Sequence, residues 1–224
     1  FVLMVILFGV GSAVGILSAQ YHGAGQPEKI RRSILIALSY AFLALIPIIT
    51  TSFFYTDTIL NLGTEDPKVI ELAENYLWIT LLSLIPVAVI MVFESALRSI
   101  NFVKLPLIFS LISISLNIVL NIWLIHGGMG IPPLGVAGAA LATTIARVIH
   151  MLLLLLTIQY LKLPISIVKS DFSTLNKIKD WSKLLHLVIP MMFSFGVWAI
   201  GSFCYQLMYG NVGTQELAIV SMLL

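Results

Sequence analysis

Residues 105–160 read LPLIFSLISISLNIVLNIWLIHGGMGIPPLGVAGAALATTIARVIHMLLLLLTIQY and contain two long apolar runs on either side of a turn. The runs cover residues 105–125 and 136–160, and a segment rich in glycine and proline lies between them. Arg147 is the one lysine, arginine, aspartate or glutamate of the stretch. An apolar run of about 20 residues can cross the roughly 30 Å hydrocarbon core of a bilayer as a helix. The stretch therefore predicts two transmembrane helices joined by a short loop.

The rest of the chain repeats this pattern. Four further apolar runs, at 1–20, 34–54, 69–97 and 184–209, bring the predicted spans to six, and a seventh begins near residue 216. Hydrophobic residues make up 59% and charged residues 10% of the chain, whereas soluble domains have about 25% charged residues. Residues 151–156 are apolar at every position, unlike the alternating strands of a membrane β-barrel. The sequence predicts an all-α integral membrane protein, a polytopic helical bundle.

Basic residues are concentrated in alternate loops. The first, third and fifth loops hold ten lysines and arginines, whereas the second, fourth and sixth loops hold only Lys68. Because cytoplasmic loops carry the excess of lysine and arginine, the odd-numbered loops are predicted to be cytoplasmic, in a bacterial inner membrane. Residue 1 would then lie on the outer side, so we expect at least one helix upstream. The net charge of +2, without a basic patch interleaved with aromatic residues, does not indicate nucleic-acid binding.

The fifth loop, residues 162–183, is the longest, and it is polar and basic. We interpret it as a cytoplasmic connection between two lobes. Residues 1–161 would then hold the transmembrane helices of the first lobe, without its first helix. Residues 184–224 would open the second lobe.

Two asparagines are the most informative polar residues in the spans. Asn117 and Asn121 are four residues apart and share one helix face among leucine and isoleucine neighbours. Amides that faced lipid would be unsatisfied, so both must face protein or a cavity. They serve either as interhelical hydrogen-bonding groups or as oxygen ligands for a small hard cation. Thr143, on the small-residue face of the next span, is placed to add a hydroxyl.

The ionisable residues in the spans are interpreted as structural. Glu94 and Arg98 are one turn apart, a spacing that predicts an ion pair. Arg147 lies one turn from His150 and needs carbonyls, a carboxylate or a water-filled cavity. No metal-site spacing and no enzyme motif such as GxSxG or a phosphate loop is present, so enzyme activity is not expected. Cys204 is the single cysteine, which excludes a disulfide within the chain.

The last complete span is rich in aromatic and methionine side chains. Met192, Phe195, Trp198 and Tyr205 suit a pocket that accepts varied lipophilic cations through thioethers and cation–π contacts. They are therefore candidates for a substrate cavity. An ordinary lipid-facing surface is the alternative.

Several stretches carry a family resemblance. They are residues 18–32 (SAQYHGAGQPEKIRR), 96–99 (ALRS) with 104–106 (KLP), 117–121 (NIVLN), 128–132 (GMGIP), 134–147 (LGVAGAALATTIAR), Pro190 with Trp198, and 210–218 (GNVGTQELA). Their order and spacing over nearly the whole chain resemble the multidrug and toxic compound extrusion (MATE) transporters. The resemblance implies twelve helices in two six-helix lobes, of which this chain would cover helices two to seven and the start of helix eight.

The resemblance also implies a function. Family members export organic cations and drugs in exchange for Na⁺ or H⁺, need no other cofactor, and alternate between outward and inward openings; we expect a monomer. By resemblance, Asn117, Asn121 and Thr143 would be cation ligands, completed by an aspartate on a helix outside this chain. Many members have an Asn–Glu pair where this chain has Ser194 and Phe195, so a site that uses that glutamate is not expected. With no carboxylate near the middle of the visible spans, the coupling carboxylate is also expected elsewhere.

Besides a truncated gene product without activity, two alternatives remain open at this point. The first is a flippase for lipid-linked oligosaccharides of the same superfamily. Such a protein should line its cavity with several cationic groups to hold a diphosphate, and Arg147 is a poor candidate by itself. The second alternative is a membrane scaffold or sensor without transport.

Overall fold

A computed structural model describes residues 2–61, 67–128, 130, 132–173, 175 and 178–212. In these ranges the chain forms eight helices: α1 (Val2–Gly23), α2 (Pro27–Phe54), α3 (Thr56–Asn61), α4 (Pro67–Ser99), α5 (Lys104–His126), α6 (Gly135–Tyr160), α7 (Lys169–Ser173) and α8 (Ile178–Val212). Six of them, all but the short α3 and α7, are long and apolar enough to cross a membrane. The predicted all-α polytopic bundle is thereby confirmed. The predicted start of a seventh span near residue 216 lies outside the described residues.

The helices extend beyond the apolar runs that predicted them. Helix α2 begins at Pro27 rather than at residue 34, and α8 begins at Ile178 rather than at residue 184. Hydropathy marks only the part of a helix that sits in hydrocarbon, whereas backbone hydrogen bonds continue into the polar region beyond it. The loop predicted over residues 162–183 is therefore shorter in the structure, and it contains α7.

Helix α1 is the centre of one half of the bundle and α6 of the other. Helix α1 packs against α2, α4 and α8, while α6 packs against α4 and α5. The backbones of α1 and α4 approach closely, because the Ser95 hydroxyl donates a 2.6 Å hydrogen bond to the Gly11 carbonyl oxygen. At Gly15, one turn further along, a Cβ atom would lie 2.8 Å from the Ser95 Oγ. Helix α4 thus joins the two halves.

The connection between α6 and α8 is tied to the first turns of α2 by two ion pairs. Arg31 Nε lies 2.8 Å from Asp171 Oδ2 on α7, and Arg32 Nη1 lies 2.7 Å from Asp180 Oδ2 on α8. Asp171 is only 4% exposed, so its pair with Arg31 is shielded from solvent. These contacts fix the connection and the start of α8 to the end of the bundle where the basic loops meet.

Aromatic contacts add to this attachment. The Tyr40 hydroxyl donates to the Trp181 carbonyl oxygen at 3.1 Å, and the two rings meet edge to face. Lys183 donates to the Tyr21 hydroxyl at 3.0 Å and also lies over the Tyr21 ring. Helix α8 is therefore held by both α1 and α2 near its start.

Replacing Asp171 with asparagine is expected to destabilise this end of the bundle. Asp171 Oδ2 accepts hydrogen bonds from Arg31 Nε and from the Val168 backbone N–H at 2.9 Å. The amide removes the charge that compensates the guanidinium. The burial of the Arg31–Asp171 pair is intermediate between that of exposed pairs and that of fully buried ones. We therefore expect the free energy of unfolding to fall by about 2 kcal/mol.

The measurement is the thermal unfolding midpoint of the purified full-length protein in detergent. Glu28→Gln is the matched control, since Glu28 is exposed on the same end of α2. Equal midpoints for Asp171→Asn, Glu28→Gln and the parent would contradict a stabilising role for the pair.

Candidate functional site

A row of polar side chains lies between α5 and α6, two predominantly apolar helices. Ser113, Asn117 and Asn121 recur every four residues on the face of α5. Asn121 Nδ2 donates to Asn117 Oδ1 at 3.0 Å, and Asn117 Nδ2 donates to Thr143 Oγ1 at 3.3 Å. The Ser113 hydroxyl donates to the Ala146 carbonyl oxygen at 3.2 Å. The structure thus brings Asn117, Asn121 and Thr143 together, as the sequence predicts.

The small residues that open α6 permit this contact. Gly138 faces the end of α5 so closely that a Cβ atom there would lie 2.5 Å from the Leu124 carbonyl oxygen. Small residues at a helix crossing let the two backbones approach. Thr143 lies on the same helix and donates its own proton to the Ala139 carbonyl oxygen at 3.0 Å, which leaves its oxygen to accept from Asn117.

Part of this polar row lines a cleft of about 170 Å³ between α5 and α6. We call it the α5–α6 cleft; its lining is Ser110, Ser113, Ile114, Asn117, Thr143, Ala146, Arg147 and His150. Amide and hydroxyl oxygens suit a hard cation. They are neutral, however, and none of these eight residues is a carboxylate. The residues therefore fit part of a cation's coordination shell, with the charge to be supplied from elsewhere.

The sequence left three surroundings open for the Arg147 guanidinium: backbone carbonyls, a carboxylate or a cavity. The structure places Arg147 at a cavity. It lines the α5–α6 cleft and is exposed there. Among the described residues no acidic side chain lies within ion-pair distance of its guanidinium. A polar cavity, rather than a carboxylate, thus receives this charge.

Glu94 stands at the centre of a group that links three helices. Arg98 Nη1 lies 3.1 Å from Glu94 Oε2, in the pairing that their spacing predicts. The other carboxylate oxygen, Oε1, lies 3.2 Å from His150 Nε2 on α6 and 3.4 Å from the Ser110 hydroxyl on α5. The contact with His150 is close but poorly directed for a hydrogen bond, so we treat it as electrostatic.

The contact between Glu94 and His150 is the feature that sequence reasoning missed. Spacing along one helix connects His150 with Arg147, but the structure turns the buried His150 ring toward α4. The two residues are distant in sequence and meet only because α4 packs against α6. An ionisable side chain within a predicted span was the signal that a partner on another helix was needed.

Glu94 and Arg98 also line a second, larger cavity. This α1–α4 cavity has a volume of about 320 Å³, and its other lining residues are Phe8, Gly11, Ser12, Met91 and Ser95. The Phe8 ring lies 5.5 Å from the Phe195 ring of α8, centroid to centroid. An aromatic ring, a thioether and a carboxylate are therefore found together in one cavity.

The four substrate-cavity candidates of α8 occupy different surroundings. Phe195 contacts Phe8 of α1, and Met192 is close enough to Gly9 that a Cβ atom there would lie 2.6 Å from Met192 Cγ. Trp198 is 64% exposed, so its ring lies on the surface. Tyr205 belongs to α8, but its side chain lies outside the described residues.

Solved MATE structures have the same fold as this chain. An inward-facing and an outward-facing multidrug resistance MATE family transporter each superpose with a TM-score of 0.76, at 20% and 21% identity, over 96% and 98% of this chain and 48% of theirs. A MATE protein in complex with MaL6 superposes with a TM-score of 0.82 at 20% identity, over 98% of this chain and 48% of its own. The chain's fold is thus that of half a MATE protein.

The curated proteins that this chain is similar to are named probable multidrug resistance proteins. A probable multidrug resistance protein NorM of Bacillus cereus is 27% identical over 95% of this chain and 47% of its own length. A NorM of Bradyrhizobium diazoefficiens is 32% identical over 62% of this chain and 30% of its own. YoeA of Bacillus subtilis, also named a probable multidrug resistance protein, is 27% identical over 99% of this chain. The chain spans about half the length of the relatives that it covers most fully.

A match to a protein-family model assigns the chain to a family. The MatE model matches residues 1–123, more than half of the 224 residues. This match confirms the resemblance to MATE transporters and the prediction of a transporter family rather than an enzyme family. The flippase alternative gains no support from these comparisons. The chain belongs to the MatE family.

Proposed function

We propose that the full-length protein that contains this chain is a secondary active antiporter, exporting organic cations or drugs in exchange for Na⁺ or H⁺. The observation that carries the proposal is the set of hydrogen bonds that joins Asn121, Asn117 and Thr143 between two predominantly apolar helices. Family membership and the multidrug-resistance names of the relatives support the substrate class.

An ion bound at the polar row would change the packing of α5 against α6. A cation that took the oxygens of Asn117, Asn121 and Thr143 would replace the present hydrogen bonds with metal–oxygen contacts, and so change how α5 sits on α6. A transporter alternates when ion and substrate prefer different states of the same bundle. In this proposal a metal cation acts through the α5–α6 cleft and the substrate through the α1–α4 cavity. The neutral amide and hydroxyl groups of the polar row do not take up a proton, so coupling to H⁺ would need a carboxylate outside this row.

Location, orientation and assembly belong to the same proposal. We place the protein in a bacterial inner membrane as a monomer, with its basic loops in the cytoplasm. The excess of lysines and arginines in the first, third and fifth loops supports this orientation.

Ethidium efflux from cells that express the full-length gene tests the function. Efflux is measured with an imposed Na⁺ gradient and separately with an imposed proton gradient. We expect one of the two gradients to drive efflux, which also names the ion. No efflux under either gradient, with the protein detected in the membrane, would contradict the proposal.

Replacing Trp198 with alanine is expected to change the substrate range more than the ion dependence. The face of an exposed indole ring attracts flat cations, and each such contact contributes about 0.5–2 kcal/mol to the binding free energy. Loss of the Trp198 ring should therefore lower the affinity for such a cation by at most about 30-fold. The measurement compares efflux of ethidium with that of a non-aromatic cation. Ile200→Ala is the matched control, because Ile200 lies on the same helix and is 66% exposed. Equal losses for all substrates, or equal effects of both variants, would remove Trp198 from the substrate site.

A further inference from the structure

The side chains of Tyr21, Lys29 and Lys183 meet where three membrane-crossing helices end. Tyr21 belongs to the last turn of α1, Lys29 to the first turn of α2 and Lys183 to the second turn of α8. Lys183 Nζ donates a 3.0 Å hydrogen bond to the Tyr21 hydroxyl. The end of a membrane-crossing helix lies at the depth of the lipid headgroups, where tyrosine is enriched. The three side chains are therefore placed to contact those headgroups.

Two ammonium groups lie beside the one Tyr21 ring. Lys29 Nζ is 5.7 Å and Lys183 Nζ is 4.8 Å from the ring centroid. Both lysine residues are exposed at this end of the bundle. The ring attracts each cation, but the two like charges repel one another. An anion that lay between the two ammonium groups would remove this repulsion.

No acidic side chain of the described residues neutralises Lys29 or Lys183. Two carboxylates at this end of the bundle are paired with arginines of α2. Glu28 is the neighbour of Lys29 in the sequence, yet it lies outside ion-pair distance of both lysines. The Tyr21 hydroxyl accepts from Lys183, and its own proton has no acceptor among the described residues. The cluster thus offers two positive charges and one hydroxyl donor to an anion.

We propose that Tyr21, Lys29 and Lys183 bind the phosphate of an anionic phospholipid headgroup. Phosphate oxygens accept charge-assisted hydrogen bonds from ammonium and hydroxyl groups, and basic pockets between membrane-crossing helices bind such headgroups. The occupant is a lipid rather than a soluble phosphate, because the donors lie at the ends of the helices, where the bilayer supplies headgroups continuously. The bound phosphate joins α1 and α2 to α8. This lipid site is independent of the transported substrate and of the coupled ion.

Native mass spectrometry of the purified full-length protein tests the site, because it measures the dissociation constant of the first bound lipid. Phosphatidylglycerol and phosphatidylcholine of equal chain length both carry a phosphate, but the choline group cancels its charge. A lysine beside an anionic lipid raises the affinity about fivefold. We therefore expect the parent to bind phosphatidylglycerol at least about tenfold more tightly than phosphatidylcholine. Lys29→Gln/Lys183→Gln should bind phosphatidylglycerol about 25-fold less tightly than the parent does.

The matched control removes two lysines from other helix ends. Lys104 begins α5 and Lys162 follows the end of α6, and both residues are exposed. Lys104→Gln/Lys162→Gln has the same net charge as the test variant, so it should keep the parent's affinity for phosphatidylglycerol. Inorganic phosphate is then added as a competitor. At a concentration equal to that of the lipid, it should leave the bound lipid in place.

Chemical labelling of the parent locates the lipid without any substitution. In nanodiscs, phosphatidylglycerol should protect Lys29 and Lys183 from acetylation, whereas phosphatidylcholine should leave both lysines reactive. Lys104 and Lys162 report the general effect of the lipid charge, and their protection by phosphatidylglycerol should be smaller.

Equal affinity of the parent for the two lipids, or equal losses of affinity in the two double variants, would overturn the lipid site. Displacement of the lipid by an equal concentration of inorganic phosphate would assign the lysines to a soluble anion instead. If the test variant fails to fold, the acetylation of the parent decides, and equal protection of all four lysines would overturn the site. None of these results bears on ion-driven export, which the efflux measurements test separately.

Discussion

Asn121→Leu is expected to reduce ion-driven efflux to the level of cells without the transporter, while the protein still reaches the membrane. The substitution removes one of the oxygens proposed to bind the ion and leaves Asn117 Oδ1 without its 3.0 Å donor. Removing a group that merely orients a metal ligand costs about 10–100-fold in metal affinity, so loss of a ligand itself should cost at least about 100-fold. The measurement is the initial rate of ethidium efflux at equal membrane abundance.

A neighbouring substitution controls for general effects on the helix. Ile122→Leu alters a side chain that is 63% exposed on the same helix, and efflux should be unchanged. Asn121→Asp retains oxygen ligands and should keep ion-dependent efflux at a changed ion affinity. Parental efflux by Asn121→Leu would remove Asn121 from the ion site and favour a purely structural hydrogen-bonding role.

Gly138→Ala is expected to lower the yield of folded protein several-fold. The added Cβ would lie 2.5 Å from the Leu124 carbonyl oxygen, a backbone atom that cannot rotate away. Helices α5 and α6 would have to separate by about 1 Å, and overpacking of this kind costs about 1–3 kcal/mol. The 3.3 Å hydrogen bond between Asn117 and Thr143 would lengthen with them. Efflux by any folded fraction of this variant should therefore no longer depend on the ion gradient.

The yield is measured as the monodisperse fraction on gel filtration after detergent extraction. Gly201→Ala is the control, because a Cβ there meets no atom within 4 Å. Alanine is the better helix former in both positions, so the control should be neutral or slightly stabilising. A normal yield of Gly138→Ala would mean that the crossing of α5 and α6 is looser than the structure shows.

Local periodicity was sufficient to predict the spans and the polar face of α5. Apolar runs of about 20 residues correspond to helices because a bilayer excludes unsatisfied backbone groups. The spacing of four residues placed Asn117 and Asn121 on one side, and the small residues of α6 indicated a close neighbour. These features depend on a single helix or on two consecutive helices, so they can be read along the chain.

Contacts between distant helices could not be predicted in this way. The ion pairs of Arg31 with Asp171 and Arg32 with Asp180 depend on how the connection folds back over α2. The approach of His150 to Glu94 depends on the packing of α4 against α6. Charge and burial indicate that such residues need partners, but only the tertiary arrangement identifies them.

Counter-ion movement tests antiport through the α5–α6 cleft most directly. Full-length protein is reconstituted in liposomes, an ethidium gradient is imposed, and the movement of Na⁺ or H⁺ in the opposite direction is recorded for the parent and for Asn121→Leu. We expect ethidium to drive one of the two ions through the parent and neither through the variant. Ethidium transport by the parent without any counter-ion movement, or equal exchange by the variant, would contradict ion coupling at Asn117, Asn121 and Thr143.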